Sequence, residues 1–432
     1  MSTVIEPTGT SLDAGKSPEQ AFGERLGRIL TSYALQKPDR IPVLLPTGHF
    51  LAQLEPGLTK QELTENSAKE RELVEKAALM YEPDGIAGLT NHPGYALALG
   101  DRMTKWPGHG LGVDGSFQFV ENEFMKAEDY DEFIEDTSDW SIRKYLPRAF
   151  SELEGLAKLP PLGMAAFGTY YWFNVGLALR QPEVNKAFAA LAAAAKAQLE
   201  TDAAIFETVG RLQALGFPGL PIPPLAPIVE APFDFMSDTL RGMRGIMLDV
   251  LRRPEKLMAA QDRVLKFQLE FAIDYTRTTG LKTVFIPLHR GSDGFMSIDM
   301  FERYYWPHLK AMLEGLAAED ILPMVFYEGI WDKRLHHLAT LPRAKTLGWY
   351  QFSDIYKVKE IVGDTMCILG GMPNSLLQAG TPDEVRAETR KLCEIVGEGG
   401  GFVMNTAIGE MEGCDPDLVK VWVDATKEYS VH

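Results

Sequence analysis

The feature that most constrains the fold is an alternation that runs from residue 283 to the C-terminus. Residues 283–287 (TVFIP) read as a strand and 297–316 as a helix. Strands then follow at 322–326, 346–350, 366–369 and 401–404, with helices between them at 333–340, 356–362 and 382–396, and a last helix at 415–429. Strand, crossover helix and next strand with short connections is the pattern of a parallel sheet. Strands this short suit a closed ring better than a large open sheet. The expectation is therefore an α/β protein built as a (β/α)8 TIM barrel. The rival, a doubly wound sheet, carries a Gly-rich nucleotide loop after a strand, and neither GxGxxG nor GxxxxGK[ST] occurs here.

The first half is less regular. Residues 42–45 (PVLL) are strand-like and end at the turn signal Pro46-Thr47-Gly48. A charged amphipathic helix is expected over 60–80, a short apolar run over 85–89, part of a hairpin over 116–120 and a helix over 127–134. The alanine-rich residues 182–215 predict a long helix. The connector at 217–227 (FPGLPIPPLAP) is too rich in proline for a helix or a central strand, and fits either a domain boundary or a rigid loop over one barrel. Together these read as helical and hairpin insertions in a single barrel domain over residues 23–432, preceded by a flexible N-terminal arm at 1–22.

Composition narrows the partners. A net charge of -17 argues against nucleic acid or an anionic membrane as the main partner. Cys367, Cys393 and Cys414 are odd in number and form no CxxC pair, which argues against a disulfide framework and fits a reducing cytoplasm. No apolar stretch reaches the length of a membrane span, and the first residues lack the apolar core of a signal peptide.

In a barrel, chemistry sits on the loops that follow the strands. That rule selects His49 after PVLLP, Asn91 and His92 after GIAGL, and His289, Arg290 and Asp293 after TVFIPL. It further selects Tyr327, Glu328 and Asp332 around the end of PMVF, Gln351 and Asp354 after LGWY, and Asn374 after CILGG. After FVM come Asn405, Thr406 and Glu410. His289 and Glu328, on neighbouring strands, can share a metal such as zinc or act as an acid–base pair; Tyr327 joins them as a catalytic candidate. Arg290 offers a two-pronged grip on a carboxylate or phosphate. His49 and His92 either meet a substrate or shape their turns. The aromatic run around Tyr170 and Tyr171 (FGTYYWF) suits either a flat organic substrate or core packing.

At this point the chain resembles the uroporphyrinogen decarboxylase superfamily. The resemblance rests on GDTMCILGGMPNSLLQAGTPDEV and GEGGGFVMNTAIGEMEGCDPDLVKVWVDATKEY, and on SFQFVENEFMKAEDYDEFIEDTSDW, APFDFMSDTLRGMRGIMLDVLRRPEKL and FMSIDMFERYYWPHLKAML. It covers roughly residues 25 to 430 and implies a (β/α)8 barrel. Two departures move it toward the corrinoid-linked methyltransferase relatives without their thiolate zinc site. LLPTGHFLAQL lacks the arginines that hold substrate carboxylates in the decarboxylase. Tyr327-Glu328-Gly329 and Asn405-Thr406-Ala407 stand where the thiol-methylating relatives carry zinc-binding cysteines.

The resemblance thus implies a methyltransferase that moves a methyl group between a small, methylated or methoxylated aromatic compound and a corrinoid. With no DxHxxG segment in this chain, the corrinoid would ride on a partner protein, and zinc would sit on nitrogen and oxygen ligands. Homodimers are common among such relatives. The alternatives are a carboxy-lyase that grips a small acid with Arg290, and a ligand-binding barrel without chemistry.

Overall fold

The computed structural model describes residues 15–219 and 226–431. Five parallel strands, β6 (Thr283–Leu288), β7 (Leu322–Tyr327), β8 (Leu347–Tyr350), β9 (Cys367–Met372) and β10 (Phe402–Thr406), lie side by side in chain order. A second parallel pair is formed by β1 (Leu44–Pro46) and β2 (Gly85–Ala87). Single parallel bridges join these two sheets. Val43 meets Met404, whose N–H donates to the Pro42 carbonyl, and this places β1 beside β10. On the other side Gly219 bridges Ile86, and Ile228 bridges Phe285. Seven strands and one place held by these two bridges make the ring of a (β/α)8 barrel.

The bridges at Gly219 and Ile228 correct the reading of the proline-rich connector. Its described ends fill the gap between β2 and β6 instead of marking a boundary. Proline lacks an N–H but keeps a good acceptor. The carbonyls of Pro218 and Pro227 accept from the N–H groups of Ile86 and Phe285.

Alternation along the strands sorts their side chains into two layers. Met324, Leu347, Trp349, Leu369 and Val403, with Phe285 and Phe326 beside them, pack into one small core with Ile29 and Leu35. Their neighbours Val284, Ile286, Leu288, Val325, Tyr327, Ile368 and Met404 join the larger core under the helices. The first set is the barrel interior, and the N-terminal helix Pro18–Tyr33 plugs its lower end. This helix starts at a capping box between Ser17 and Gln20, so residues 18–22 are helical rather than loose. Residues 1–14 of the expected arm lie outside the described residues.

Asp84, fully buried at the start of β2, ties that end together. Both its oxygens accept from Arg40 (2.6 and 2.7 Å); Arg28 of the N-terminal helix and the Val43 N–H also donate to it.

Between β2 and the bridge at Gly219 lie the insertions. A small sheet is made of β3 (Thr104–Pro107), β4 (Gly110–Leu111) and β5 (Gln118–Phe119), of which β5 is antiparallel to β3, as the hairpin reading expected. The helix expected over 60–80 is two helices, Lys60–Glu65 and Ser67–Tyr81, because Asn66 leaves the helical region and caps the second. The long helix runs Pro182–Ala214, 33 residues.

Removing Asp84 leaves two buried guanidinium groups without their shared anion. Asp84→Ala is expected to destabilise the protein by about 3–5 kcal/mol in urea unfolding. Arg28→Ala should cost less, because Arg40 keeps both of its bonds.

Candidate active site

The parallel register pairs Leu288 with Tyr327, so the next residues, His289 and Glu328, leave the sheet side by side. The imidazole Nε2 lies 3.2 Å from the Glu328 carboxylate. Its other nitrogen, Nδ1, lies 2.5 Å from Asp238. Gly291 makes this turn compact: a Cβ there would stand 2.3 Å from Trp331 and 2.7 Å from Tyr305.

Asp238 belongs to a helix that begins at Pro232 and passes through a π turn at Phe235–Arg241. One turn earlier the fully buried Asp234 accepts from the backbone N–H groups of His289 and Arg290, both at 2.9 Å, and from the Tyr305 hydroxyl at 2.5 Å. Glu230, just before the helix, is held through its backbone by Gln268. Three carboxyl groups at intervals of four residues thus meet the loop after β6.

This crowding sets their protonation. Burial disfavours the His289 cation, but the hydrogen bond to Asp238 and the charges of Asp234, Asp238 and Glu328 outweigh it and raise its pKa to about 9. Burial and the charge of Asp238 push Glu230 up to about 7 and Asp234 up to about 6. Burial also opposes the Asp238 anion, yet His289 and Arg290 hold its pKa below the usual carboxylate value. Near neutral pH the site therefore holds a charged imidazole, an ionised Asp238, and in Glu230 a carboxyl that readily gives or takes a proton.

A second group lies on β1 and β10, across the ring from β6 and β7 in strand order. His49, almost fully buried after β1, places Nδ1 3.1 Å from Glu410, and its Nε2 is a buried nitrogen with no partner among the described residues. Gly48, at φ 47°, leaves room for the Glu410 carboxyl, which a Cβ would approach to 3.4 Å. Donor atoms of His49, Glu410 and Glu412 all lie within 4.8 Å of one another, a spacing that can hold a metal ion. Glu412 also accepts from Lys60 and Ser116. Between the two groups the upper barrel interior carries Phe326 against Trp349, ring centroids 5.2 Å apart.

Several expected site residues have other duties. Tyr327 faces away from the mouth: it stacks on Tyr350 (4.6 Å) and packs on Trp331 in the layer beneath the helices, because alternation sends Phe326 and Glu328 inward and Tyr327 outward. Arg290 turns Nε to Asp238 and Ser237 and Nη2 to Asp238. Asp293 pairs with the buried Arg334 and accepts from the Lys333 N–H, stapling two loops. His92 has both nitrogens engaged, by the Thr64 carbonyl and Glu70, and shapes its turn, while Asn91 is exposed.

Asn374 holds the loop that carries Glu410, donating to the Glu410 carbonyl and accepting from the Ile408 N–H. Asn405 is buried, with its amide nitrogen unpartnered. Tyr171 is buried, but Tyr170 is two-thirds exposed, so core packing does not account for the aromatic run. The three cysteines are buried and free. Post-strand logic missed Glu230, Asp234, Asp238, Tyr305 and Glu412; the four-residue spacing of the first three was the available signal.

A parallel β/α ring with titratable groups at the C-terminal ends of its strands places this chain among the barrel proteins that carry their sites on the βα loops. The chain belongs to the uroporphyrinogen decarboxylase (URO-D) family, whose profile matches residues 179–429, more than half of it. Curated relatives include the uroporphyrinogen decarboxylase of Chlorobium phaeovibrioides, 29% identical over 140 residues, which are 31% of this chain and 39% of that protein. That of Neisseria meningitidis is 25% identical over 227 residues, 51% of this chain and 60% of its own length. These matches span less than two thirds of either relative. Among solved structures, a methyltransferase from Methanosarcina mazei superposes with a TM-score of 0.58 at 16% identity, over 93% of this chain and 98% of that one; it shares the fold.

Both groups should lower stability as pH rises, each over its own window. The His289 pKa is raised on folding, so its stabilisation is fully present below its unfolded value near 6.5 and is lost as pH rises through about 9. Glu230 is raised too, so ionising it costs stability progressively between about 4.5 and about 7. Glu230→Gln should gain stability over the parent protein at pH 8 and show no such gain at pH 4, read by denaturant unfolding at both values.

Proposed function

We propose that this protein is a methyltransferase that moves a methyl group between a small, methylated or methoxylated aromatic compound and a corrinoid carried on a partner protein. The observation that carries the reading is the proton-holding cluster of Glu230, Asp234, Asp238 and His289 at the mouth, with Phe326 and Trp349 in the barrel interior. The fold shared with the Methanosarcina methyltransferase supports it. A methyl ether parts with its alkoxide reluctantly, so the leaving oxygen needs a proton or a positive charge as the carbon–oxygen bond breaks.

The corrinoid on the partner supplies the cobalt nucleophile that takes the methyl group. The chain's own residues do the rest. Phe326, set edge-on to the buried Trp349, gives the ring of the substrate an apolar floor. His289, held as a cation by Asp238 and Glu328, stabilises charge on the departing oxygen, and Glu230 delivers the proton. Asn405 offers an unspent amide donor. Zinc, the metal the resemblance implies, would find a three-donor set in His49, Glu410 and Glu412, whereas His289, held as a cation, has no nitrogen lone pair to offer it. Bound there, it would polarise an oxygen of the substrate.

Decarboxylation of a small acid is the second reading, favoured by the family match and the curated relatives. The engagement of Arg290 by Asp238 speaks against a clamp for a carboxylate substrate.

The test is to mix the protein with a reduced corrinoid protein and methoxylated aromatics, following the cobalt absorption and the demethylated product. Both should change together, and Asp238→Asn should slow the change by about 10²–10⁴-fold by uncoupling the imidazole from its anion. Carbon dioxide release from candidate acids with no cobalt change would overturn the reading in favour of the lyase.

A further inference from the structure

A lysine from the segment between β1 and β2 reaches into the donor set on the β1–β10 rim. Lys60 opens the helix Lys60–Glu65, and its ammonium meets one oxygen of Glu412 and, at 3.1 Å, the Ser116 hydroxyl. Ser116 donates to the other Glu412 oxygen, so both oxygens of that carboxylate are taken. The lysine side chain is only 14% exposed. Its backbone is fixed as well. The capping box of Thr59 and Glu62 sets the start of the helix, and the N–H groups of Lys60 and Gln61 donate to Asp114 and to the Val113 carbonyl, at 3.4 and 2.9 Å. Two residues beyond that anchor and Ser116, Phe117 sets its ring 6.3 Å from that of His49. Gln378 donates to the Glu412 carbonyl as Asn374 does to that of Glu410, so the backbone under both carboxylates is held independently of Lys60.

Charge gives the lysine its consequence. Glu410 and Glu412 bring two carboxylates within 4.8 Å of a His49 nitrogen. A divalent ion held by both and by a neutral imidazole leaves no net charge, the balance that ionic groups away from water require. An ammonium on the same carboxylate upsets that balance in two ways. It repels the ion across a few ångströms, and it takes up an oxygen that the ion would use. His49 presents no such obstacle. A ring proton carried on Nε2, which has no partner among the described residues, frees Nδ1 as a ligand. Ser116 needs only to turn its hydroxyl. Lys60 has to withdraw, and its flexible four-carbon stem allows that.

We infer that Lys60 and a divalent ion compete for Glu412, so that the lysine sets how tightly the rim holds its metal. This competition rests on the proposed role of His49, Glu410 and Glu412 as zinc ligands. Zinc alone tests it, by competition with a chromophoric chelator and with no substrate present. The parent protein should take up zinc, and His49→Ala should lose it. Lys60→Met keeps the length of the side chain without its charge, and should bind zinc about 10- to 100-fold more tightly. Lys60→Arg, which keeps the charge, should not. In a Glu412→Gln background the gain from Lys60→Met should disappear, whereas a lysine acting only at a distance would still give it. Equal zinc affinity in the parent and in Lys60→Met overturns the competition and leaves the zinc ligands standing. A gain that persists beside Glu412→Gln overturns it too. No zinc uptake by any of these proteins, or uptake that survives His49→Ala, overturns the ligand set and the competition with it. Lys60→Gln serves the same comparison should the methionine variant unfold.

Discussion

The contact between Asp238 and His289 is the constraint on which the rest of the mouth depends. One imidazole sits among four carboxyl groups, two of them deep in the protein, and burying unpaired charge of one sign is prohibitive. The cluster is tolerable because its members share protons and donors. His289 supplies a positive charge, Arg290 a second, and Tyr305 with two backbone N–H groups satisfies Asp234. Tertiary packing then locks the turn, since the loop after β6 has no room for a side chain at Gly291.

Asp238 takes up two nitrogens of the Arg290 guanidinium and one of the His289 imidazole, so the two cations of the mouth share one anion. The opposite rim differs in kind. There His49 keeps one nitrogen unspent and turns the other to Glu410, while Glu412 accepts from Lys60 and Ser116. One side gathers carboxyl groups around an imidazole; the other brings three donor atoms within 4.8 Å of one another.

Much of the barrel was legible because each strand from β6 to β10 is a short apolar run followed by a helix with its own start signal, such as the capping box at Thr381 and Glu384. The strand place between β2 and β6 was not. Its residues are largely proline and glycine, and carbonyl acceptors on the neighbouring strands' N–H groups leave no mark in a hydrophobic pattern. In the site, the post-strand rule found His289 and Glu328 because register alone puts them together. It overreached with Tyr327, although period-two alternation forbids two successive residues from facing the same mouth. Asp234 and Asp238 escaped because they arrive on a helix behind an irregular segment, where strand-end logic has nothing to count from.

The charge of His289 is the most direct measure of this account, and nitrogen-15 NMR of the imidazole reads it without any substrate. Both ring nitrogens should remain protonated through pH 8 in the native protein, with titration near 9, moving toward the ordinary histidine value once Asp238 is replaced by asparagine. A neutral ring at pH 7 with one bare nitrogen would contradict it, because the carboxylates would then not be holding a cation between them.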